Sequence, residues 1–407
     1  MSLINTPGIT PTQVMLHTCS IAGVDFRTIV NGEIIQRFHV QEFRVYEDNC
    51  KFYFTGQLVI EAQQNVFERF LAPQAEVVLS FQAPPNDKIY TEKFRVYSYE
   101  SKPREGDLVN SMIVTIALVG EEYFKDKSTQ VQMNFNNQSG TSAASQIHQK
   151  DLSFFGPLAV PLQSLGMIGL QNHAHQVLSK SPSKAIHDIL DKSVFPVPSS
   201  GPAVYFRNKP GYVIAPLEHL IKNAQITGNF LHYPRGGDTI NSTLSGYNLV
   251  IHFRPMAPPG EDRGGARPHV RTKTVGWNDL AQGITKTLKG AGGSGYAGGV
   301  AKGIIDNWRQ NIEIDKMGPG GYKSREDQFI SDLTYSQKYW MSVPLQTGIE
   351  VTVGDRITIV YPVGNEIHTK TRWVARLIHE LRFTEGRERN TVAVHGTTDL
   401  FGVYWNV

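Results

Sequence analysis

The strongest constraint on the fold is a series of short runs in which β-branched and aromatic residues alternate with polar ones. Over residues 1–125 these runs are RFHVQEFRVYED, KFYFTGQLVIE, AEVVLSFQA, EKFRVYSYE and SMIVTIALVG. Turn residues such as Asp48-Asn49 and Pro84-Pro85-Asn86 separate the runs. Because no helical period lies between them, residues 1–125 are predicted to form an antiparallel sandwich or barrel.

Strand patterns return in the last part of the chain. GYNLVIHFRP and IEVTVGDRITIVYP carry short β-type runs, and TRWVARLIHELRFT alternates over its whole length. The alternation predicts one face with Trp373, Ala375, Leu377, His379, Leu381 and Phe383, and an opposite face with Arg372, Val374, Arg376, Ile378, Glu380 and Arg382.

The stretch between these β regions is predicted to be a mixed, partly helical module over residues 126–225. Ser139 or Thr141 is a candidate helix cap before an apolar face. SPSKAIHDILDK places Pro182 directly after a capping Ser181, and APLEHLIKNAQ places Pro216 at the start of another short helix.

The two β regions resemble each other in sequence. TIALVG at 115–120 is similar to TVAVHG at 391–396. Upstream, FRVYSYESKPREGD is similar to WVARLIHELRFTEGRE, and AEVVLSFQAP to DRITIVYPVG. Three matches in the same order favour a duplicated β domain. The alternative is that antiparallel strands share a composition and therefore look alike.

Composition excludes several classes of protein. The chain has 407 residues, enough for two or three domains, and 40 basic against 37 acidic residues. A net charge of +3 gives no reason to expect a nucleic-acid-binding surface. Cys19 and Cys50 are too few for a disulfide framework. The sequence shows no signal-peptide pattern and no apolar run long enough to span a membrane.

A glycine-rich segment, GAGGSGYAGGVAKG, contains the G-x-G-x-x-G spacing of dinucleotide-binding loops at Gly293, Gly295 and Gly298. Such a loop needs a buried strand before it and a helix after it. A helix could follow, and Asp315 lies at a tolerable distance for a ribose contact, but the preceding WNDLAQGITKTLK is not strand-like. We therefore expect no cofactor, and we interpret 257–330 as a Gly/Pro-rich insertion with a flexible loop.

The histidines do not predict catalysis or a metal. The four in the middle module, His148, His173, His175 and His187, lack an acidic or cysteine partner at metal-binding spacing. His379-Glu380 begins like H-E-x-x-H but lacks the second histidine, and a packed, hydrogen-bonded role is expected for His379. Carboxylate pairs can meet in space, but no candidate pair stands out. The sequence predicts no enzyme.

The C-terminal stretch resembles the second barrel of phage baseplate hub proteins. The likeness lies in WMSVPLQTGIEVTVGDRITIVYP and TRWVARLIHELRFTEGRERNTVAVHG, with Gly348, Gly354-Asp355, Pro362, His379 and Gly386 at corresponding places. VYFRNKPGYVIAPLEHLIKNA resembles the middle module of that family. The insertion at 257–330 has no counterpart in it.

The resemblance implies a β-rich α+β fold with two tail-tube-like antiparallel β-barrels and a mixed α/β middle module. The expected units are 1–125 for the first barrel, 126–225 for the middle module, 226–256 with 331–401 for the second barrel, 257–330 for the insertion, and 402–407 for a C-terminal tail.

The function implied is that of a structural hub in the tail baseplate of the virion, assembled in the host cytoplasm. A homotrimer would form a pseudo-six-fold ring between the hexameric tail tube protein and a trimeric central spike protein, contacting other baseplate proteins. DNA would only pass through its lumen. The alternatives are a tail-associated cell-wall hydrolase with catalysis in the middle module, and an unrelated β-rich capsid or fibre protein.

Two surfaces are candidate interfaces. The charged face with Arg372, Arg376, Glu380 and Arg382 is either an inter-subunit surface or a solvated outer face. The end of the chain, FGVYWNV, contains Tyr404 and Trp405. We expect it to pack on a neighbouring molecule; the alternative is that it folds back onto its own barrel.

Overall fold

The fold is given by a computed structural model. It describes residues 14–25, 27–30, 33–36, 39–63, 71–82, 89–104, 111–159, 173–190, 203–232, 248–250, 252–256, 337–363, 366–385 and 392–404. The predicted insertion at 257–330, its glycine motif and Trp405 lie outside these residues.

Strands make up most of the described chain. They are β1 (Val14–Ile21), β2 (Val24–Asp25), β3 (Arg27–Val30), β4 (Glu33–Gln36), β5 (His39–Asp48), β6 (Thr55–Gln63), β7 (Glu76–Gln82), β8 (Ile89–Pro103), β9 (Ser111–Val119), β10 (Val131–Gln138), β11 (Leu158–Ala159), β12 (His173–Lys180), β13 (Ala203–Asn208), β14 (Gly211–Pro216), β15 (Ile226–Leu231), β16 (Asn248–Leu249), β17 (His252–Met256), β18 (Gln337–Pro344), β19 (Arg356–Val363), β20 (Glu366–Glu385) and β21 (Val392–Tyr404). The five runs quoted from residues 1–125 correspond to β5 to β9, which confirms them as strands.

The helices are short, and most belong to the middle module. They are α1 (Glu121–Ser128), α2 (Gly140–Asp151), α3 (Pro182–Leu190), α4 (Leu217–Asn223) and α5 (Leu345–Gly348). The oxygen of Ser139 accepts a hydrogen bond from the amide of Ser142 at 3.2 Å, so Ser139 is the cap of α2. Pro182 begins α3 as the sequence predicts. None of the described helices is long and apolar enough to cross a membrane.

Two sets of strands in the main sheet have the same order. In the first set β5, β6, β9, β8 and β7 are neighbours in that order, and in the second set β17, β18, β21, β20 and β19 are. Every neighbouring pair within both sets is antiparallel. The three sequence matches fall on β7, β8, β9 and on β19, β20, β21, so they occupy equivalent positions in the two sets.

The hairpin of β20 and β21, which belongs to the second set, also pairs with the first. Residues 366–373 of β20 pair with β19, while residues 376–382 pair with β5 along the same edge. On the far edge of β21, β18 pairs with residues 397–404 and β1 with residues 393–394. Strand pairing therefore runs from β20 through β5, β6, β9, β8, β7 and β1 to β21, and from there back to β20.

Three apolar cores accompany this arrangement. The first lies between the strands β1 and β5 to β9, and it includes Leu345, Ile349 and Leu381 from the C-terminal part of the chain. The second lies between strands β15, β18 to β21 and α4, and the third fills the middle module. The C-terminal residues thus complete a core that is built mainly from residues 14–119.

The predicted alternation on β20 holds over only part of the strand. Leu377, His379 and Leu381 are buried while Arg376 and Arg382 are exposed, as expected. Arg372 and Val374, predicted on the charged face, are instead buried. Trp373, between them, is buried as well, so both faces of β20 are covered over residues 372–374. The pairing of β20 with β21 shifts register just beyond this point, between Val374 and Arg376.

We expect Leu381→Ala to lower the free energy of unfolding by about 2 to 5 kcal/mol, because Leu381 is fully buried in the first core. Arg382→Ala, at the next position, is the control: Arg382 is 64% exposed, and its change is expected within about 1 kcal/mol. Urea denaturation of both variants checks this. Equal effects would contradict a role for β20 in completing the first core.

Candidate functional site

A group of polar and charged side chains lies buried where β5, β20 and the β13–β14 turn meet. Glu47 on β5 is fully buried, and His379 on β20 lies opposite Val45, diagonal to Glu47. Lys209 occupies the turn between β13 and β14, and Thr352 lies in the segment before β19. Glu47, Lys209, Thr352 and His379 are called the charged cluster below.

Lys209 makes three close contacts through its ammonium group. Its Nζ donates to the carbonyl oxygens of Ile349 at 2.6 Å and Val351 at 3.0 Å, and it lies 2.7 Å from Nε2 of His379. Because an ammonium group can only donate, Nε2 must be the acceptor. His379 is therefore a neutral imidazole that carries its proton on Nδ1.

Glu47 is ionised although it is buried. Its Oε2 accepts hydrogen bonds from Thr352 Oγ1 at 2.8 Å and from the amide of Val353 at 3.4 Å, and its Oε1 lies 3.6 Å from Lys209 Nζ. Burial alone would raise the pKa of this carboxyl, but the charge of Lys209 and the hydrogen bonds outweigh it and lower the pKa to about 2.

The electrostatics of His379 agree with a neutral imidazole. Burial, assisted by the positive charge of Lys209, lowers the pKa of His379 to about 4, although the carboxylate of Glu47 opposes that shift. At neutral pH the charged cluster therefore holds one ionised Lys–Glu pair and one neutral histidine.

A second buried ion pair lies beside the cluster. Arg207 on β13 pairs with Glu122 on α1, and its guanidinium lies 4.5 Å from the centre of the Phe54 ring. Glu122 is almost fully buried. Burial lowers the pKa of Arg207, but the charge of Glu122 outweighs this and the pKa is raised, so the guanidinium is charged. This pair joins the middle module to α1 and to the apolar residue that precedes β6.

Two further carboxyls near the cluster have raised pKa values, so they bind a proton more readily than a solvated carboxyl does. Burial, together with the charge of Glu47, raises the pKa of Glu92 to about 7, although Lys209 and Arg207 oppose the shift. Burial also raises the pKa of Asp355 to about 6. The region therefore contains groups that change charge between pH 4 and 7.

The arrangement is suited to joining parts of the fold. The Lys209 ammonium group and Oε2 of Glu47 have partners within the chain: two backbone carbonyls, a backbone amide and the Thr352 hydroxyl. Over the described ranges no three His, Cys, Asp or Glu side chains are grouped to hold a metal ion. The contacts fasten the β13–β14 turn of the middle module to β5, β20 and the segment before β19.

Two histidines of the middle module, His148 and His187, contact the same residue, Tyr205. His148 is buried, with Nδ1 3.0 Å from the Tyr205 hydroxyl and Nε2 3.2 Å from the carbonyl of Gly156. The ring of His187 packs edge-on against Tyr205 at 5.9 Å between ring centres. His175 is buried on β12. The side chain of His173 lies outside the described residues. His379 is buried and hydrogen-bonded, which confirms the role expected for it.

The predicted interface residues are distributed unequally between core and surface. Arg376 and Arg382 are exposed, whereas Arg372 is 6% exposed. Arg382 and Arg44 both contact Oε1 of Glu380, at 2.7 Å and 3.3 Å, so part of the charged face forms an ion-pair network across β5 and β20. The backbone of Tyr404 pairs with Gln337 at the end of β21.

An exposed aromatic surface was not identified from the sequence. The second half of β8 is exposed on both faces from Tyr97 to Pro103, and Tyr97 is 57% exposed. The Tyr97 and Tyr123 rings meet edge to face at 5.9 Å, and Tyr53 packs on Tyr123 at 5.0 Å. Tyr97 and Tyr99, two tyrosines at alternate positions of β8, would have been the sequence signal.

Solved structures with the same architecture are tail proteins. A tail protein from Neisseria meningitidis MC58 has a TM-score of 0.53 at 8% identity, over 96% of each chain. The 43 kDa tail protein of prophage MuSo2 from Shewanella oneidensis has a TM-score of 0.51 at 11% identity, over 97% of each chain. The chain has a phage tail-protein fold. The likeness covers nearly all of this chain, so it includes both β regions and the middle module.

A weaker likeness is to an Escherichia coli component of the type VI secretion system, itself described as similar to the T4 bacteriophage tail proteins gp27 and gp5. Its TM-score is 0.47 at 8% identity, over 96% of this chain and 77% of that one. No protein-family model matches the chain, and no curated protein matches its sequence. The resemblance to phage tail proteins inferred from the sequence is confirmed for the fold.

We expect Lys209→Met to lower the free energy of unfolding by about 3 to 5 kcal/mol, because it leaves the buried carboxylate of Glu47 without its cation. Lys180→Met is the matched control, since Lys180 pairs with Asp188 at the surface and should contribute less than about 1 kcal/mol. Chemical denaturation at pH 7 measures both. Adding Glu47→Gln to Lys209→Met should recover part of the loss. A loss no larger than that of the control would contradict the assignment.

Proposed function

We propose that this chain is a structural subunit of a phage tail baseplate hub. Three copies form a pseudo-six-fold ring that joins a hexameric tail tube to a trimeric central spike. The single observation that carries the proposal is the repeated strand order: β5, β6, β9, β8, β7 and β17, β18, β21, β20, β19. The shared fold with tail proteins supports it.

The repeat matters because of symmetry. A closed ring of identical contacts needs as many equivalent units as the partner it meets. A trimer of a chain with two similar β units presents six of them, so it can match a six-fold tube on one side. The trimer remains three-fold in its other features, and these can match a three-fold spike on the other side.

The strand pairings support tail-tube-like barrels as the two units. The circuit from β20 through β5 and β1 to β21 and back to β20 is the connectivity that a closed barrel requires. In the second unit the described pairings run from β16 through β20 and β21 to β17. The shared hairpin makes both units parts of one sheet, which suits a rigid ring segment.

The charge of the chain is compatible with a channel through which DNA passes. A protein that grips DNA neutralises many phosphates with clustered Lys and Arg. This chain has nearly equal numbers of basic and acidic residues, 40 and 37.

The proposed hub has no cofactor and catalyses no reaction. Its place is the tail baseplate of a virion assembled in the host cytoplasm, where it contacts further baseplate proteins.

We place contacts between neighbouring subunits on the exposed part of the charged face, at Arg376 and Arg382, with Glu380 between them. The chain end with Tyr404 and Trp405 packs on a neighbouring molecule. The burial of Arg372 within its own chain makes it a weaker candidate for such a contact.

Electron microscopy of the purified protein at high concentration, averaged without imposed symmetry, tests the assembly. We expect a three-fold ring with six similar lobes around an open channel. Light scattering should give a molar mass three times the 45.4 kDa of one chain.

The double variant Arg376→Glu with Arg382→Glu should shift the trimer toward monomers without changing its melting temperature by more than a few degrees.

Lys150→Glu with Lys184→Glu, two charge reversals on the helices of the middle module, is the control and should leave the trimer intact. Monomers at all concentrations, or a ring without six lobes, would refute the hub. A cleared zone on a peptidoglycan zymogram would favour the hydrolase instead.

A further inference from the structure

His379 lies at the point where the middle module is fastened to the sheet. The three hydrogens of the Lys209 ammonium group match three acceptors: the carbonyls of Ile349 and Val351, and Nε2 of His379. The amide of Lys209 also donates to Thr352 Oγ1 at 3.1 Å. The β13–β14 turn is therefore attached to the segment 349–352 and to β20 through one residue.

Protonation of His379 would remove one of these attachments. A proton on Nε2 turns the acceptor into a donor, so two donors and two positive charges would face each other across the 2.7 Å that now separates the nitrogens. The nearest alternative partner is Glu47 Oε1, 3.5 Å from Nε2. Either His379 or Lys209 must then move.

Charged groups from each neighbouring element act on this site. Glu47 comes from β5, Lys209 from the β13–β14 turn, and Asp355 from the turn before β19. Glu92 on β8 interacts with Glu47 and Lys209, and through Arg207 it is coupled to the ion pair with Glu122.

We propose that Lys209, His379 and Glu47 form an acid-released latch between the middle module and the sheet. The latch is closed while His379 is neutral and opens when His379 is protonated. In its open state the β13–β14 turn detaches from the segment 349–352. The proposal is independent of the assembly state, because every group of the latch lies in one chain.

The direction of the pH effect follows from proton binding. The closed latch keeps the pKa of His379 at about 4, whereas a solvated histidine has a pKa of 6.5. The open state therefore binds a proton more readily, and acidification from pH 6.5 toward pH 4 favours it. At pH 5 the opening equilibrium should rise about thirtyfold relative to pH 7.5.

Glu92 and Asp355 act in the opposite direction. Their pKa values are raised in the folded protein, so the folded state takes up protons before a solvated carboxyl would, and acidification stabilises it. The pH dependence of the stability of the folded state therefore contains contributions of both signs. Only a comparison that keeps both carboxyls unchanged isolates the contribution of His379.

Hydrogen exchange of the full chain at pH 5 and pH 7.5, corrected for intrinsic rates, is the test. His379→Gln keeps an acceptor for Lys209 but cannot take up a proton. The opening equilibrium constant is measured on peptides from 203–216 and 345–355. The wild-type constant divided by the variant constant should rise about thirtyfold on acidification. His219→Gln is the control: His219 contacts Asn223 at the surface of α4 and should follow the wild type.

A ratio that changes less than twofold between the two pH values would overturn the proposal. Should His379→Gln fail to fold, the histidine NMR signals of the wild type decide. A His379 signal that titrates below about pH 5 from the Nδ1-protonated form supports the latch. One that titrates at or above pH 6.5 overturns it.

Discussion

The backbone pairing of β20 with two different strands along one edge is the constraint on which the rest of the structure depends. Because β19 and β5 follow each other on that edge, one hairpin supplies two strands of the second set and also closes the pairing circuit of the first. Leu381 belongs to the first core for this reason, although more than 200 residues separate it from the strands it covers. A sheet built in this way couples its two halves through hydrogen bonds, so relative motion of the halves would break strand pairing.

The charged cluster lies at the same junction, and its position follows from the register. Val45 opposite His379 places Glu47 on the diagonal, where a carboxylate and an imidazole can share one cation. Burying these groups costs free energy that apolar residues would not cost, so the presence of the cluster is weak evidence for a net gain in stability. Lys209 is long enough to reach from a turn to the segment before β19, where it donates to the carbonyls of Ile349 and Val351.

The local features of this fold could be predicted from the sequence, because they depend on neighbours in the chain. Alternation identified β5 to β9, and Ser139 and Pro182 marked the starts of two helices. The repeat was visible in TIALVG and TVAVHG because equivalent strands keep similar side chains. The burial of Arg372 and Val374 was not visible, since the alternation along β20 shows which residues share a face but not that both faces are covered at residues 372–374.

The charged cluster could not be predicted for a different reason. Glu47, Lys209 and His379 are far apart in the chain, and only the strand order brings them together. One local signal existed: Glu47 continues the inward series of Phe43 and Val45, so a carboxylate stood where an apolar residue was expected. A charged residue at an inward strand position requires a buried partner. In a duplicated β protein that partner is best sought at the strands which join the two copies, because there the apolar pattern of each copy has to be interrupted.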